Sequence, residues 1–301
     1  MRVAVLGTGL MGAPLAMRLL EADHEVWVWN RNPERAEPLR AGGAEVAATP
    51  VEAIAEAEFV ITMLSDARAI VEVAFGKQVR GVLRDRTLIQ MATIDPQESR
   101  ELAAAMQEAG GDYLEAPVLG SIPEATRGEL IVMAGGEEAV FRRCLPLLRC
   151  FGPEPRLIGE VGKGAALKLA MNQLIAGLTA SFSLSLALVR HEGVSVDDFM
   201  TLLRGSALYA PTFDKKLPRM LEGDFERPNF PLKHLDKDTK LFIRAAERHA
   251  LALSGIKGVE QLLERGLLEG LANRDYSALY AVIDRSPPQA EDRDAREADA
   301  D

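Results

Sequence analysis

The chain has 301 residues, 48% of them apolar, two cysteines and a formal charge of −10. That length accommodates two domains with separate cores, and the acidic balance speaks against a nucleic-acid binder that relies on a basic surface. Four scattered histidines without ligand spacing, two cysteines and no Gly-x-Ser-x-Gly elbow give no support to metal, disulfide or serine-nucleophile chemistry.

The first eighteen residues of interest, VAVLGTGLMGAPLAMRLL from Val3, join an apolar strand, a G-x-G-x-x-G loop and a helix start. Gly7 permits the tight turn, Gly9 lets a pyrophosphate approach the backbone, and Gly12 lets the helix pack closely on the sheet. Leu10 and Met11 complete the loop, whose phosphate site is the helix N-terminus. About twenty residues on, EVWVWNRN ends a second strand with Asn30, where a ribose-binding acid is usual. A neutral Asn30 does not repel a 2′-phosphate, Arg31 offers that phosphate a planar fork, and Asn32 adds a neutral polar group. NADP(H) is therefore preferred, with NAD(H) still possible if Arg31 is only a solvated loop cation.

Further strands are expected at residues 59–63, 88–91, 113–115, 130–134 and 156–158, after the first two at 3–6 and 26–29. Helices fit at 11–21, 96–109 and 137–148. This alternation predicts an α/β fold, a Rossmann-type, doubly wound and mostly parallel sheet. Ligands then bind beyond the strands' carboxyl ends, where residues 7–12, 30–32, 63–65, 91–93 and 116–121 gather round one crevice.

The pattern changes near residue 160. No strand is expected beyond 164, where one long buried helix over 164–192 precedes helices at 196–203, 237–250 and 255–271. The domains expected are a dinucleotide-binding domain over 1–162, an all-α substrate and oligomerisation domain over 163–285, and an acidic, disordered tail over 286–301. That tail holds six acids and two arginines, which is −4 of the total charge. The apolar run 174–189 is shorter than a bilayer span and interrupted by four hydroxyl residues, so no membrane role is expected. The N-terminus resembles no signal peptide, and a cytoplasmic location is expected.

The segment GEVGKGAALKLAMNQL from Gly159 carries the candidate chemistry. Lys168 and Asn172 stand four apart on one helical face. An ammonium there polarises a carbonyl oxygen and delivers a proton, while an amide fixes the geometry.

With these residues in view, the chain is similar to the β-hydroxyacid dehydrogenase family, which includes 3-hydroxyisobutyrate dehydrogenases, tartronate semialdehyde reductases and glyoxylate/succinic semialdehyde reductases. The resemblance covers residues 1–284 through VAVLGTGLMG, EAPVLGS with Gly128 downstream, GKGAALKLAMN and FPLKHLDKD. It implies that Lys168 is the catalytic acid/base with Asn172 beside it. It implies further that Met63 and Leu64 line the path from adenosine to nicotinamide, that Thr93 lies near the nicotinamide, and that Lys237 closes over it. Pro117, Val118, Leu119, Gly120 and Ser121 match the loop that receives a substrate carboxylate, and Phe230 and Asp238 match positions near the closure. Core packing for Phe230, and a structural ion pair or helix cap for Asp238, are the plainer alternatives.

The family loop commonly reads A-P-V-S-G-G, so Leu119 removes a hydroxyl that Ser121 supplies two residues later. This leaves the substrate open, not the reaction type. The Asn-Arg pair after the second strand resembles the NADPH-using glyoxylate/succinic semialdehyde reductases, which implies NADPH-dependent reduction of a small aldehyde acid. Oxidation of 3-hydroxyisobutyrate or a similar β-hydroxyacid with NAD(P) is the first alternative. Imine reduction and a non-catalytic dinucleotide-binding module are the others, and Lys168 counts against both. The partners expected are a small carboxylate-bearing substrate and a second copy of the chain, as homodimer or homotetramer, with no nucleic acid.

Overall fold

The computed structural model describes residues 1–285, so the acidic tail expected over 286–301 lies outside the described residues. By contact the chain forms two compact units. One comprises Met1–Gln173 with Asp238–Leu253, the other Leu174–Lys237 with the chain from Ser254 onward.

The first unit is built as β1 (Arg2–Leu6), α1 (Gly12–Glu21), β2 (Glu25–Trp29), β3 (Glu45–Val46), α2 (Pro50–Glu56), β4 (Phe59–Thr62), α3 (Ala67–Ala74) and β5 (Thr87–Gln90). It continues with α4 (Pro96–Glu108), β6 (Asp112–Glu115), β7 (Val118–Leu119), α5 (Ile122–Arg127), β8 (Ile131–Gly136), α6 (Glu138–Phe151), β9 (Arg156–Gly159) and the start of α7 (Lys163–His191). The sheet runs β3-β2-β1-β4-β5-β6-β8, with β7 and β9 also paired to β8. Pairing is parallel from β3 through β6 and again between β8 and β9; β8 runs antiparallel to β6 and β7.

Helices cover both faces of this sheet. Val3 and Val5 of β1 face Leu15, Leu19, Leu147 and Phe151 on one side, while Ala4 and Leu6 face Ile54, Ile70, Leu102 and Met106 on the other. Strands buried on both faces need apolar residues at every position, hence the unbroken runs in the sequence. The β3 and β7 strands are two residues each, too short for any periodicity to mark them. Helix starts are set by local chemistry. Thr49 caps α2 and Asp66 caps α3 through their side-chain oxygens, and Asp95 with Glu98 forms a capping box on α4.

The second unit is helical. It contains most of α7, then α8 (Val196–Arg204), α9 (Pro211–Glu222), the first turn of α10 (Leu232–Glu247), α11 (Ser254–Leu268) and α12 (Leu279–Ile283). Its core stacks Phe182 of α7 on Phe213 of α9, ring centroids 4.5 Å apart, beside Leu186, Met200, Met220 and Tyr280. Among the described residues beyond β9, extended pairing is limited to one bridge, Pro231 to Asp275.

Three expectations need correction. The α10 helix begins at Leu232 rather than 237, because the Pro231 carbonyl accepts the amides of His234 and Leu235 and closes the first turn early. The α9 helix was not foreseen, because Pro218 interrupts its pattern; Pro211 at its start fits the first turn, where no amide donor is needed. The long helix α7 is only partly buried: Leu174, Leu184 and Leu188 are 52, 56 and 62% exposed. At 29 residues it is also long and apolar enough to cross a membrane by length and composition alone, with 44% of its apolar window buried.

Candidate active site

Parallel register fixes the site. Trp29, Leu6, Thr62, Gln90 and Glu115 lie in one row across β2, β1, β4, β5 and β6. The ladder carries on one step past each strand end: Gly7 donates to Trp29, Met63 to Leu6, Met91 to Thr62 and Ala116 to Gln90, at 2.8, 3.0, 3.0 and 2.7 Å. The expected gathering of loops along one edge therefore follows from the alignment of the strands.

The glycine loop shows why those glycines are required. Gly7 has φ +101°, and a Cβ there would meet the Met63 carbonyl oxygen at 2.4 Å. A Cβ on Gly12 would sit 1.8 Å from the Gly7 carbonyl oxygen. A Cβ on Gly9, by contrast, would meet nothing within 4 Å. The buried Thr8 hydroxyl oxygen has no hydrogen-bond partner among the described residues. An open backbone, a free buried hydroxyl and the start of α1 together fit a dinucleotide pyrophosphate. Leu10 is exposed beside this opening, Met11 immediately precedes α1, and Leu64 packs within 2.9 Å of the position a Gly7 side chain would take.

At the end of β2 the structure adds detail that sequence could not supply. The Asn30 side chain is committed within the chain, accepting the Thr8 amide at 3.1 Å and donating to the Asn32 carbonyl at 2.9 Å. It clips the glycine loop to the β2 loop. The Asn32 side chain accepts the Glu34 amide and caps a short 3-10 turn. Arg31 is exposed.

The loop after β6 divides into two parts. Pro117 and Val118 are buried, and Val118 and Leu119 pair with Val132 and Ile131. Leu119 is thus part of a small antiparallel ladder. Gly120 and Ser121 follow at the start of α5, where Ser121 donates both its amide (2.8 Å) and its hydroxyl (2.6 Å) to one oxygen of Glu124. The donors expected to receive a substrate carboxylate already hold a carboxylate of this chain.

Lys168 and Asn172 lie on one face of α7 and both are buried, 7 and 2% exposed. Asn172 donates to the buried Asp238 carboxylate of α10 at 2.6 Å, while its own Oδ1 takes no hydrogen bond. This bond, which is neither an ion pair nor a helix cap, lets the Asp238 carboxylate orient the Asn172 amide. Within the second unit, Phe230 stacks near His234 at 6.3 Å and meets Tyr276 edge-on at 5.9 Å. Lys237 precedes Asp238 in α10 and is half-buried.

Sequence reasoning missed two supports. Gln90, fully buried at the end of β5, accepts the Ala92 amide and donates to the Ala92 carbonyl at 3.0 Å, which braces the turn leading to Thr93. Asp95 lies just beyond that turn. It binds Arg244 at 3.3 Å and Arg248 at 2.6 Å, and Arg244 reaches Glu98 at 2.6 Å. Burial alone would raise the Asp95 carboxyl, but Arg248, the Gln97 amide and Arg244 outweigh it and hold its pKa below the usual value. An apolar strand ending in Gln, and an Asp-Pro helix start, were the signals available.

Comparison with known proteins agrees with this architecture. Residues 2–162 match the NAD binding domain of 6-phosphogluconate dehydrogenase, and residues 162–283 match the NAD-binding domain of NADP-dependent 3-hydroxyisobutyrate dehydrogenase. Glyoxylate/succinic semialdehyde reductase 1 of Arabidopsis thaliana is 32% identical over 94% of this chain and 98% of its own length. Two solved 3-hydroxyisobutyrate dehydrogenases share the fold. That of Mycobacterium tuberculosis, determined with L-serine, has a TM-score of 0.85 at 25% identity, covering 93% of this chain and 98% of its own. That of Salmonella typhimurium has a TM-score of 0.82 at 26% identity, covering 93 and 99%. The chain belongs to the β-hydroxyacid dehydrogenase family, whose members are NAD(P)-dependent oxidoreductases acting on CH–OH groups.

Proposed function

We propose that this chain is an NADPH-dependent reductase of small aldehyde acids, of the glyoxylate or succinic semialdehyde kind, with Lys168 as proton donor. The observation that carries it is a buried lysine one helical turn from an amide that Asp238 orients. In a water-poor site an ammonium acts more strongly on a developing oxyanion than it would in water. Lys168 first polarises the carbonyl oxygen, then transfers its Nζ proton to that oxygen as the carbon is reduced. Asn172 holds the carbonyl in line by donating the Nδ2 hydrogen that Asp238 does not take. The bound nicotinamide supplies the hydride.

Gly7, Gly9, Leu10, Met11 and Gly12 would hold the pyrophosphate, with Met63, Leu64 and Thr93 along the path to the nicotinamide. Preference for NADPH is supported by exposed Arg31 and by the absence of a carboxylate at Asn30, whose amide serves the loop itself. The substrate carboxylate would take the Ser121 and Gly120 donors, displacing Glu124 from Ser121. The family resemblance adds Lys237 for the cofactor and Phe230 and Asp238 for the substrate to the residues proposed. Self-association belongs to the same reading, supported by the exposed Leu184 and Leu188 of α7.

Oxidation of a β-hydroxyacid is the second reading, favoured by the likeness to 3-hydroxyisobutyrate dehydrogenases. Initial rates for glyoxylate, succinic semialdehyde and 3-hydroxyisobutyrate with each cofactor separate the two. The reductase reading requires the highest kcat/KM for an aldehyde acid with NADPH; a maximum for a hydroxyacid with NAD would replace it.

A further inference from the structure

The fully buried Glu115 has no part in the chemistry above, yet it touches three elements that frame it. One carboxylate oxygen accepts the amides of Gly162, Gly164 and Ala165, at 2.8, 2.8 and 3.1 Å. These belong to the N-terminal end of α7, where the first amides have no partner within the helix. The other oxygen accepts the hydroxyl of Ser99 on α4, which is bonded at 2.8 Å to the Tyr113 hydroxyl. All four groups around the carboxyl can donate to it.

The surroundings are shaped for this side chain. Gly162, at the capping position of α7, offers no side-chain oxygen of its own, so Glu115 caps the helix from 47 residues away. A Cβ on Gly135, the β8 partner of Glu115, would come within 2.3 Å of the accepting oxygen. A Cβ on Gly164 would come within 2.4 Å of the Met133 carbonyl oxygen and 3.2 Å of that same carboxylate oxygen. The carboxylate also complements the positive end of the helix dipole. Burial pushes its pKa up, while Ser99 and the three amides pull it back.

Position in the chain gives this contact a consequence. Glu115 is the last residue of β6, and the Pro117–Ser121 loop follows directly. Gly164 and Ala165 lie in the first turn of α7, and in an α-helix the Lys168 amide bonds to the Gly164 carbonyl. We infer that Glu115 is a positioning residue, fixing the start of α7 against the end of β6 and thereby setting where Lys168 stands relative to the substrate loop. The inference rests on Lys168 being the proton donor proposed above.

The test compares Glu115→Ala, Glu115→Asp and Glu115→Gln with Lys168→Ala, measuring kcat, aldehyde KM and NADPH Kd on folded protein. Loss of the anchor should lower kcat about ten- to a hundred-fold in Ala, and by a smaller factor in Asp, the usual penalty for misplacing a reacting group by around an ångström. NADPH Kd and aldehyde KM should stay within about threefold, since the binding donors lie elsewhere. Glu115→Gln keeps an oxygen for the three amides and a donor for Ser99, so it should restore kcat to within about fivefold of the parent. If the alanine variant does not fold, Asp against Gln gives the same reading. Parental kcat in Ala or Asp, a loss confined to KM or Kd, or a Gln variant no better than Asp would overturn the inference. A Lys168→Ala variant with parental kcat would instead overturn the functional reading itself, whatever the Glu115 variants do.

Discussion

At the residue scale the site is a contest over donors and charges. Ser121 gives its amide and hydroxyl to Glu124, so an anionic substrate that took these donors, as proposed, would displace a carboxylate already in place. Replacing Glu124 with Ala frees both donors and removes a like charge. We expect the KM for glyoxylate to fall about three- to tenfold, the equivalent of roughly 1 kcal/mol, with kcat little changed. A rise in KM would show instead that Glu124 is needed to shape the loop. Arg31→Ala should weaken NADPH binding about tenfold while barely altering NADH, the signature of a lost pairing with the 2′-phosphate. Equal weakening of both cofactors, measured by fluorescence titration, would remove the basis for the NADP preference. The placement of Lys168 and Asn172 on one helical face and the form of the glycine loop were legible in the sequence because each follows a spacing rule. The partners of Asn30 and Asn172 were not, since hydrogen bonds across 22 and 66 residues depend on how the chain folds back. Glu124, by contrast, stands three after Ser121 in a readable capping-box spacing that the sequence reading passed over.

At the scale of elements, the ends of helices do much of the positioning. Asp95 caps α4, and Arg244 of α10 and Arg248, the residue just past its end, bind the same carboxylate. Its pKa is held below 3.8, so this contribution to stability is complete above pH 3.8 and is lost as the pH falls through the lower, folded-state value. Asp95→Asn keeps the capping oxygen and removes the charge. It should cost about 1 kcal/mol at neutral pH, because both guanidinium groups remain in contact with water that screens them. The gap to the parent in urea unfolding should then begin to close as the pH falls below 3.8 and keep closing as it passes the lower folded-state value; a gap independent of pH would assign the effect to packing. Strands and most helices were readable from apolar runs and caps, while α9 and the early start of α10 were hidden by prolines. A proline marks a helix start only once the fold shows which side of it is helical.

At the scale of the whole molecule, the contact-defined units divide α7 and α10. The segment bearing Lys168 and Asn172 groups with the sheet, as does the part of α10 that begins at Asp238, while the remainder of α7 builds the helical unit. Sequence pattern marks the change from strands to helices but not this sharing, because a continuous helix shows no break where its packing partners change. Further along α7, Leu184 and Leu188 are exposed, and Leu202 and Leu268 of the same unit are exposed as well. Apolar surface of this kind favours association with another copy. Light scattering at micromolar concentration should give a dimer or tetramer, and Leu184→Glu with Leu188→Glu should shift it toward monomer without loss of helical circular dichroism. A parental monomer would contradict the expectation.

The central proposal is that one buried lysine turns a dinucleotide-binding fold into a carbonyl reductase. The most direct measurement is single-turnover reduction of glyoxylate by Lys168→Ala preloaded with NADPH. The account predicts NADPH affinity close to the parent and a chemical step slowed about a hundred- to ten-thousandfold, the span typical of a lost general acid. A variant that binds NADPH and reduces the aldehyde at the parental rate would contradict it.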